Sequence, residues 1–273
     1  MIVSDRQTPA PAAVFAGLPR LKAFVRVAVD IRNIDVPAAS AAGILVTRSK
    51  PSFVPAVAEL ALGFLIDLAR GISRSTADYH AGRVPEARMG RELGGSTIGI
   101  IGYGAIGRRL AELALALGMR VLVADPFVTV EDMRIHQVAL ERLLADADHV
   151  VCLAVATEET ENLMDATAFA RMKRDAVFIN LSRGNLVDEA ALAAALREGR
   201  IAGAAMDVGR APDQMPSPEL ARLPNVIATP HTGGLTPQAI EGQALHSVDQ
   251  IAALLRGEIP EGAVNAQSWS RRF

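Results

Sequence analysis

The residues with the clearest chemical purpose are three glycines, Gly102, Gly104 and Gly107, in the sequence G-Y-G-A-I-G. They follow an apolar, strand-like run and precede a helical pattern. In such a turn the first glycine allows a tight bend, the second lets a pyrophosphate approach the backbone, and the third lets helix and strand pack closely. Free N–H groups at the helix start attract the phosphates. The motif predicts a dinucleotide site, although a glycine-rich turn without a ligand stays an alternative.

A carboxylate stands at the spacing that such a site requires. Asp125 ends the strand-like run V-L-V-A-D, 23 residues after Gly102. A carboxylate at this place accepts hydrogen bonds from the ribose hydroxyls of NAD and repels the 2′-phosphate of NADP. We therefore predict NAD as the cofactor. The alternative is that Asp125 only caps a loop.

Three polar residues follow strand-like runs further along the chain, and their types suggest that the site binds a carboxylate and transfers a proton. They are Arg183 in S-R-G, Asp207 in M-D-V and His231 in T-P-H-T-G-G. Ligands of an open α/β sheet bind beyond the carboxyl ends of its strands, so all three are expected at one edge. Arginine binds a carboxylate with a planar fork, and histidine exchanges protons near neutral pH. Taken singly, each could instead be structural: a surface arginine, a loop cap and a histidine held in a turn.

The elements that must position these residues alternate between strands and helices along most of the chain. Several apolar runs lack polar alternation, as strands covered on both faces do. We therefore predict an α/β fold with a doubly wound, mostly parallel sheet. The predicted strands are Leu21–Val29, Gly43–Thr47, Thr97–Gly102, Arg120–Asp125, His149–Val155, Ala176–Ser182, Ile201–Val208 and Val226–Thr229. The predicted helices between them are Ala105–Gly118, Leu140–Ala147, Ala166–Met172 and Asp188–Gly199, and Gly209–Pro224 is expected to be a loop.

Two longer helical patterns indicate a division into two domains. One helix is expected over Ala56–Gly82 and another over Pro237–Arg256. We expect them to connect two domains. The alternative is that both helices cover a single sheet.

Composition argues against several classes of partner. The 273 residues carry 28 Lys and Arg against 30 Asp and Glu, a formal charge of −2, and form no basic stripe for nucleic acid. The one cysteine, Cys152, rules out an internal disulfide framework and is typical of a reducing compartment. The sequence shows neither a signal-like start nor an apolar run that could cross a bilayer. We expect a cytoplasmic protein without nucleic-acid or membrane partners and without a metal site.

The order of the motifs resembles one known family, the D-2-hydroxyacid dehydrogenases of the phosphoglycerate dehydrogenase-like type. The resemblance runs from about Pro19 to about Gly257. It rests on G-Y-G-A-I-G-R, A-D-P-F, I-N-L-S-R-G-N-L-V-D-E, G-A-A-M-D-V and P-N-V-I-A-T-P-H-T-G-G. It implies an NAD-binding Rossmann domain, here residues 56–231, inserted into a smaller, flavodoxin-like substrate domain, here the discontinuous residues 1–55 and 232–273. It also implies a homodimer paired through the long helices.

The same resemblance implies roles for the candidate residues. Arg183 would bind the carboxylate and carbonyl of the substrate, and His231 would be the acid/base. Asp207 would hold the nicotinamide carboxamide, and Arg108 would lie near the pyrophosphate. The expected catalytic pair is Arg183 and His231, and the expected cofactor-binding set is Gly102, Gly104, Ile106, Gly107, Arg108, Asp125 and Asp207.

The substrate half departs from the family pattern. The glutamate expected five residues beyond Asp207, which would hydrogen-bond the histidine, is absent, and Asp213 or Gln214 could replace it only out of register. Ala28 and Asp30 stand where the family has glycines whose amides meet the substrate carboxylate, and Asp30 would add negative charge there. Only 20 residues precede the first predicted strand, so the substrate domain is expected to be N-terminally shortened.

Two functions are compatible with these residues. The first is an NAD-dependent oxidoreductase that moves a hydride between nicotinamide and a small 2-hydroxy or 2-oxo acid. The second is a dinucleotide-sensing regulatory protein on a dehydrogenase scaffold. Arg183 and His231 favour the first, because a binding module needs neither, whereas the lost glutamate and glycines favour the second. Our prediction is the first, a 2-hydroxyacid dehydrogenase.

Overall fold

The structure, a computed structural model, describes residues 1–272. The chain divides into two compact units, one comprising Met1–Phe53 and Leu235–Phe273 and the other Val54–Gly234. The unit boundaries lie at residues 53/54 and 234/235, where the sequence suggested 55/56 and 231/232. Each unit has a parallel sheet and its own hydrophobic core.

The first unit is built on a three-stranded parallel sheet in the order β1-β2-β3. Its strands are β1 (Ile2–Ser4), β2 (Ala23–Arg26) and β3 (Leu45–Arg48), and its helices are α1 (Ala12–Ala16), α2 (Val36–Ala41) and α10 (Pro237–Leu255). The rings of Phe15 and Phe24 pack edge to face in its core, with centroids 5.9 Å apart. Helix α10 packs against β2. Residues from both ends of the chain therefore build this unit together.

The start of the chain supplies a strand and a helix that sequence reasoning missed. Strand β1 pairs with β2, and Ile2 lies opposite Phe24. The fully buried guanidinium of Arg26 fastens the turn after β1 by donating to the carbonyls of Asp5 and Thr8. Three and five residues are too few for a periodic pattern to show. The residues before β2 therefore form a βα pair with very short elements.

The second unit is built on a seven-stranded sheet in which every pairing is parallel, in the order β10-β9-β8-β7-β4-β5-β6. Its strands are β4 (Thr97–Ile101), β5 (Arg120–Ala124), β6 (Ile135–Gln137), β7 (His149–Cys152), β8 (Val177–Asn180), β9 (Gly203–Met206) and β10 (Val226–Ala228). Its helices are α3 (Val54–Arg70), α4 (Ile72–His80), α5 (Ala105–Ala116), α6 (Leu140–Asp146), α7 (Ala166–Arg171), α8 (Glu189–Arg197) and α9 (Pro218–Ala221).

Strand β4 marks the point where the winding of this sheet reverses. The chain runs outward from β4 through β5 and β6, then crosses to β7 on the other side of β4 and continues to β10. An open α/β sheet forms its ligand crevice at such a reversal. Strands β4, β7, β8 and β9 are buried along their whole length, as expected for strands covered on both faces. The predicted doubly wound sheet is confirmed.

The helix expected over Ala56–Gly82 is in fact two helices. Gly71, with a φ of 67°, separates α3 from α4, because a residue in the left-handed region ends a helical run. Helix α3 packs against α5 and against the sheet. Sequence reasoning missed this break because the whole stretch lacks a strand-like run and therefore predicts one helix.

Two smaller predictions also need correction. The segment Gly209–Pro224, expected to be a loop, contains a 3₁₀ turn at Pro212–Gln214 and the helix α9. Helix α9 starts at Pro218, and proline is well tolerated at the first position of a helix. The sheet also has a strand, β6, that was not predicted, and it is only three residues long. Across residues 1–272, no helix is both long enough and apolar enough to cross a bilayer.

Candidate active site

The residues predicted to do chemistry lie at one edge of the seven-stranded sheet. Gly102 and Asp125 directly follow β4 and β5, Asp207 directly follows β9, and Arg183 and His231 lie three residues beyond β8 and β10. Because the strands are parallel, these carboxyl ends share an edge. Neighbouring strands are about 4.8 Å apart, so about 19 Å separates the strand of Asp125 from that of Asp207. The residues predicted to bind the dinucleotide and those predicted to act on the substrate therefore occupy adjoining parts of this edge.

The glycine turn has the geometry that the motif predicts. Gly102 has a φ of 94°, a conformation that side chains rarely adopt. A Cβ at Gly102 would lie 2.7 Å from the backbone of Ala154 after β7, and a Cβ at Gly107 would collide with the carbonyl of Gly102. Beside Gly104, no atom of the described residues other than its immediate chain neighbours lies within 4 Å of the place a Cβ would take. The first and third glycines thus permit close packing, and the second leaves open space for a phosphate.

The start of α5 offers donors to that open space. Its N-cap is Gly104, and within residues 1–272 no side chain caps the helix. The N–H groups of the first turn, including that of Ile106, have no partner inside the helix. The exposed guanidinium of Arg108 lies 4.5 Å from the ring centroid of Tyr103 in the same turn. Backbone donors and one cation could therefore hold a pyrophosphate here.

Asp125 is fixed by the same turn and keeps lone pairs available. One carboxylate oxygen, Oδ2, accepts from the N–H of Tyr103 at 2.7 Å, and the other, Oδ1, accepts from the N–H of Phe127 at 2.9 Å. The residue is only partly buried. Since each carboxylate oxygen has a second lone pair, Asp125 can also accept from two ribose hydroxyls.

Arg183 lies in a loop that polar side chains hold against the nucleotide turn. Asn180, which is fully buried, donates from Nδ2 to the carbonyl of Arg183 at 2.9 Å and accepts at Oδ1 from the N–H of Ser182 at 3.1 Å. The hydroxyl of Ser182 donates to the carbonyl of Ala154, the residue that also contacts Gly102. The partly buried arginine is therefore carried by a loop with a fixed backbone.

Asp207 organises the turn that carries His231. The residue is 2 % exposed. Its Oδ1 accepts from the N–H of Thr232 at 2.8 Å and from the hydroxyl of Thr229, and its Oδ2 accepts from the N–H of Gly233 at 2.9 Å. Its backbone carbonyl accepts from the N–H of His231 at 2.9 Å. Asp207 therefore positions the histidine turn, and its contact with a nicotinamide carboxamide stays a prediction.

His231 is held by a backbone carbonyl instead of a carboxylate. Its Nδ1 lies 3.2 Å from the carbonyl oxygen of Asp213. A carbonyl oxygen can only accept, so Nδ1 carries the proton, and in the neutral ring Nε2 has the lone pair. His231 has a φ of 54°, which is uncommon for a residue with a side chain. The main-chain carbonyl of Asp213 therefore contacts the ring nitrogen that the family glutamate was expected to hold.

Sequence reasoning missed the residues that support the site without entering it. Asn180, Thr229 and Thr232 hold the two loops that bear Arg183 and His231. A polar residue at the end of an apolar strand, as in F-I-N and I-A-T, was the available signal. Buried polar side chains of this kind are retained where they satisfy backbone groups.

In the first unit, Asp30 does not bring an unpaired charge to its turn. Arg32 donates to it from Nε at 3.0 Å and from Nη2 at 2.7 Å. Hydrogen bonding to Asp30 raises the pKa of the Arg32 guanidinium above its usual value. The expected excess of negative charge was therefore wrong, because a local ion pair cancels it.

Cys152 and possible metal ligands contribute no further reactive group to this edge. Burial raises the pKa of the Cys152 thiol to about 12, so the thiol stays protonated near neutral pH. Among residues 1–272, no three His, Cys, Asp or Glu side chains are grouped as metal ligands.

Known proteins match this chain over most of its length. The family model described as "D-isomer specific 2-hydroxyacid dehydrogenase, NAD binding domain" matches residues 62–233. A D-3-phosphoglycerate dehydrogenase of Methanocaldococcus jannaschii is 37 % identical over 251 residues, which are 90 % of this chain and 48 % of the relative. A glyoxylate reductase of Korarchaeum cryptofilum is 34 % identical over 274 residues, 97 % of this chain and 82 % of the relative. The chain therefore spans about half of the first relative and most of the second.

A solved structure leads to the same family. The D-lactate dehydrogenase of Lactobacillus jensenii, determined with NAD⁺, matches with a TM-score of 0.85 at 28 % identity, over 96 % of this chain and 86 % of that chain. The predicted α/β fold and the predicted NAD-binding domain are confirmed. The chain belongs to the D-isomer specific 2-hydroxyacid dehydrogenase family.

Proposed function

We propose that this chain interconverts a small 2-oxo acid and its 2-hydroxy acid with NAD(H) at the carboxyl edge of the seven-stranded sheet. The observation that carries the proposal is the placement of Arg183, Asp207 and His231 on three neighbouring strands beside the dinucleotide turn. Binding a dinucleotide requires neither an arginine nor a histidine there. Reduction of a 2-oxo acid, by contrast, uses a cation that binds the carboxylate and a proton donor for the substrate oxygen.

The two catalytic residues divide the work. NADH, when bound, would supply the hydride for C2 of the 2-oxo acid. Arg183 holds the substrate carboxylate with its planar guanidinium, which fixes C2. The imidazolium of His231 donates its Nε2 proton to the substrate oxygen, and in hydroxy-acid oxidation the neutral ring takes that proton back. A positioned acid/base of this kind contributes roughly 10²- to 10⁴-fold to the rate.

The remaining predicted residues define the cofactor side. Gly102, Gly104 and Gly107, with the N–H groups at Ile106 and the first turn of α5, would bind the pyrophosphate, assisted by the exposed Arg108. Asp125, which is already oriented by two backbone N–H groups, would accept from the adenosine ribose and exclude a 2′-phosphate. The unit Val54–Gly234 then holds NAD, and the other unit keeps its predicted role as substrate domain.

The dimer is part of the same proposal. Helices α3 and α4 expose Ile66, Ile72 and Tyr79, three large apolar side chains in the segment predicted to pair. Apolar side chains that remain exposed on a helix favour an interface. Light scattering should report a dimer, with Ile72→Glu shifting it toward monomer. A monomeric native protein would contradict the proposal.

The cytoplasm is the proposed compartment, on the ground of the single cysteine.

The decisive test is NADH oxidation with a panel of 2-oxo acids. Glyoxylate, pyruvate, hydroxypyruvate and 3-phosphohydroxypyruvate span neutral and phosphorylated side groups. At least one should be reduced, and His231→Ala should abolish most of that turnover. Arg91→Ala is the control, because Arg91 pairs with Asp175 before β8, at the opposite edge of the sheet. Tight NADH binding without reduction of any acid would support the regulatory alternative instead.

A further inference from the structure

The carbonyl that contacts His231 belongs to a tight loop, residues 208–216, whose backbone is hydrogen-bonded across the loop. Within it, Gly209 N–H donates to the carbonyl of Gln214 at 2.8 Å, and Ala211 N–H donates to the carbonyl of Met215 at 3.1 Å. Asp213 and Gln214 have φ values of 62° and 60°, two consecutive left-handed residues without glycine. Such conformations persist only where the surroundings enforce them. Something outside the loop must therefore keep it in place.

The side chain of Arg210 provides this external fastening. Its Nη2 lies 2.8 Å from the carboxylate of Glu161, 2.6 Å from the amide oxygen of Asn162 and 2.9 Å from the carbonyl of Asn185, so its two N–H groups are shared among three acceptors. Its Nε donates to the carbonyl of Val187 at 3.1 Å. Four acceptors from two other segments thus meet one guanidinium. A lysine, with a single charged nitrogen, could not reproduce this fork.

The main chain around Arg210 is tied to the same neighbours. The N–H of Arg210 donates to the carboxylate of Glu189, at the start of α8, at 2.9 Å. A Cβ at Gly184 would collide with the backbone of Gly209, so the absence of a side chain at Gly184 lets these two segments of the chain pack in contact. Gly184 directly follows Arg183. The loop that supports His231 is therefore fastened to the segment that carries Arg183.

We propose that Arg210 is a positioning residue for His231, acting through the carbonyl of Asp213; this inference rests on the proposed function. With Arg210 in place, the carbonyl stays on Nδ1, which keeps the ring in one tautomer and leaves Nε2 to the substrate. The family's glutamate does this with a side chain. In this chain a main-chain carbonyl and a distant arginine do it together.

The kinetic test is a double-mutant cycle between Arg210→Ala and His231→Ala. Arg210→Ala should lower kcat by roughly 10- to 100-fold, because a small misplacement of a catalytic group has that scale of effect. The Kd for NADH should stay within about twofold, as should all parameters of the control Arg91→Ala. In the His231→Ala background, Arg210→Ala should change the residual kcat less than about twofold, because the group it positions is gone. An equal loss in both backgrounds overturns the proposal.

A second readout needs no turnover. Nitrogen-15 spectra of labelled histidine, assigned with His231→Ala, should show Nδ1 protonated and Nε2 unprotonated in the neutral ring of the native protein. Arg210→Ala should convert this to a mixture of tautomers, and Arg91→Ala should not. An unchanged His231 tautomer in Arg210→Ala overturns the proposal. Failure of the proposed function would appear differently, as no reduced acid despite the expected spectra.

Discussion

Two stretches of one sheet edge hold their functional groups in different ways. Beyond β4 and β5, the residues of the motif support each other, since Asp125 accepts from the N–H of Tyr103 inside the glycine turn. Beyond β9 and β10, His231 relies on Asp207 and on the carbonyl of Asp213, which lies outside any motif. A site that uses main-chain groups for support can keep its geometry while the supporting sequence changes. The loss of the family glutamate is therefore compatible with an intact acid/base site.

The largest expected effect is a loss of turnover without a loss of NADH binding, which would show that the two stretches act separately. His231→Ala should lower kcat by roughly 10²- to 10⁴-fold, since the proton donor is removed. Its Kd for NADH should change less than about twofold, because three strands lie between the strand before the histidine and the strand before the glycine turn. Steady-state kinetics and a binding titration measure the two quantities. Weaker NADH binding of the same order as the loss in kcat would mean that the two stretches act as one site.

The reverse effect is expected from Asp125→Asn. This change keeps an oxygen acceptor for the N–H of Tyr103 but removes the charge that excludes a 2′-phosphate. The native preference for NADH over NADPH should be about 5- to 150-fold, which corresponds to about 1–3 kcal/mol. The variant should lose most of it. Binding titrations with both cofactors measure the preference, with Asp132→Asn as an exposed control. Equal native affinities would contradict the assignment of Asp125.

A smaller effect is expected at the opposite edge of the sheet, where a carboxylate acts on stability alone. Burial raises the pKa of Asp148, but hydrogen bonds from Lys173 and the N–H of Thr97, with the charge of Lys173, outweigh it and leave the pKa below its usual value. The stabilisation is therefore present above the unfolded-state pKa and is lost as pH falls through the folded-state pKa.

Asp148→Asn should accordingly reduce the free energy of unfolding by about 1 kcal/mol near neutral pH, without changing kcat. The difference from the native protein should shrink in strong acid. Urea unfolding at neutral and acidic pH measures this, with Asp175→Asn, in a more exposed ion pair, as the control. A deficit that grows in acid would contradict the assigned pKa direction.

The smallest expected effect concerns Cys152, which ends β7 between the two stretches. Burial raises its pKa to about 12, and only the thiolate reacts with alkylating reagents. The folded protein should therefore keep its activity and its free thiol after treatment with iodoacetamide, and the thiol should react once the chain is unfolded. Mass spectrometry follows the modification. Rapid labelling of the folded protein would show that this part of the edge opens.

The sequence predicted those parts of the fold and site that depend on side-chain identity. Gly102, Gly107 and Asp125 were identified because other residues would collide or lack the charge, and Arg183, Asp207 and His231 because their strands end at one edge. The carbonyl of Asp213 could not be predicted, since every residue has one and only the backbone angles aim it. The break at Gly71 and the three-residue strand β6 were missed because both lie within patterns that hydrophobic periodicity cannot resolve.

The measurement that tests the central claim most directly is transfer of deuterium to the reduced acid from NADH that carries deuterium at both hydrogen positions of nicotinamide C4. The native protein should place deuterium at C2 of a 2-hydroxy acid, and Arg91→Ala should do the same. Arg183→Ala and His231→Ala, with NADH still bound, should form far less labelled product. Bound labelled NADH that yields no deuterated acid with any member of the panel would contradict the assignment of hydride transfer to this edge.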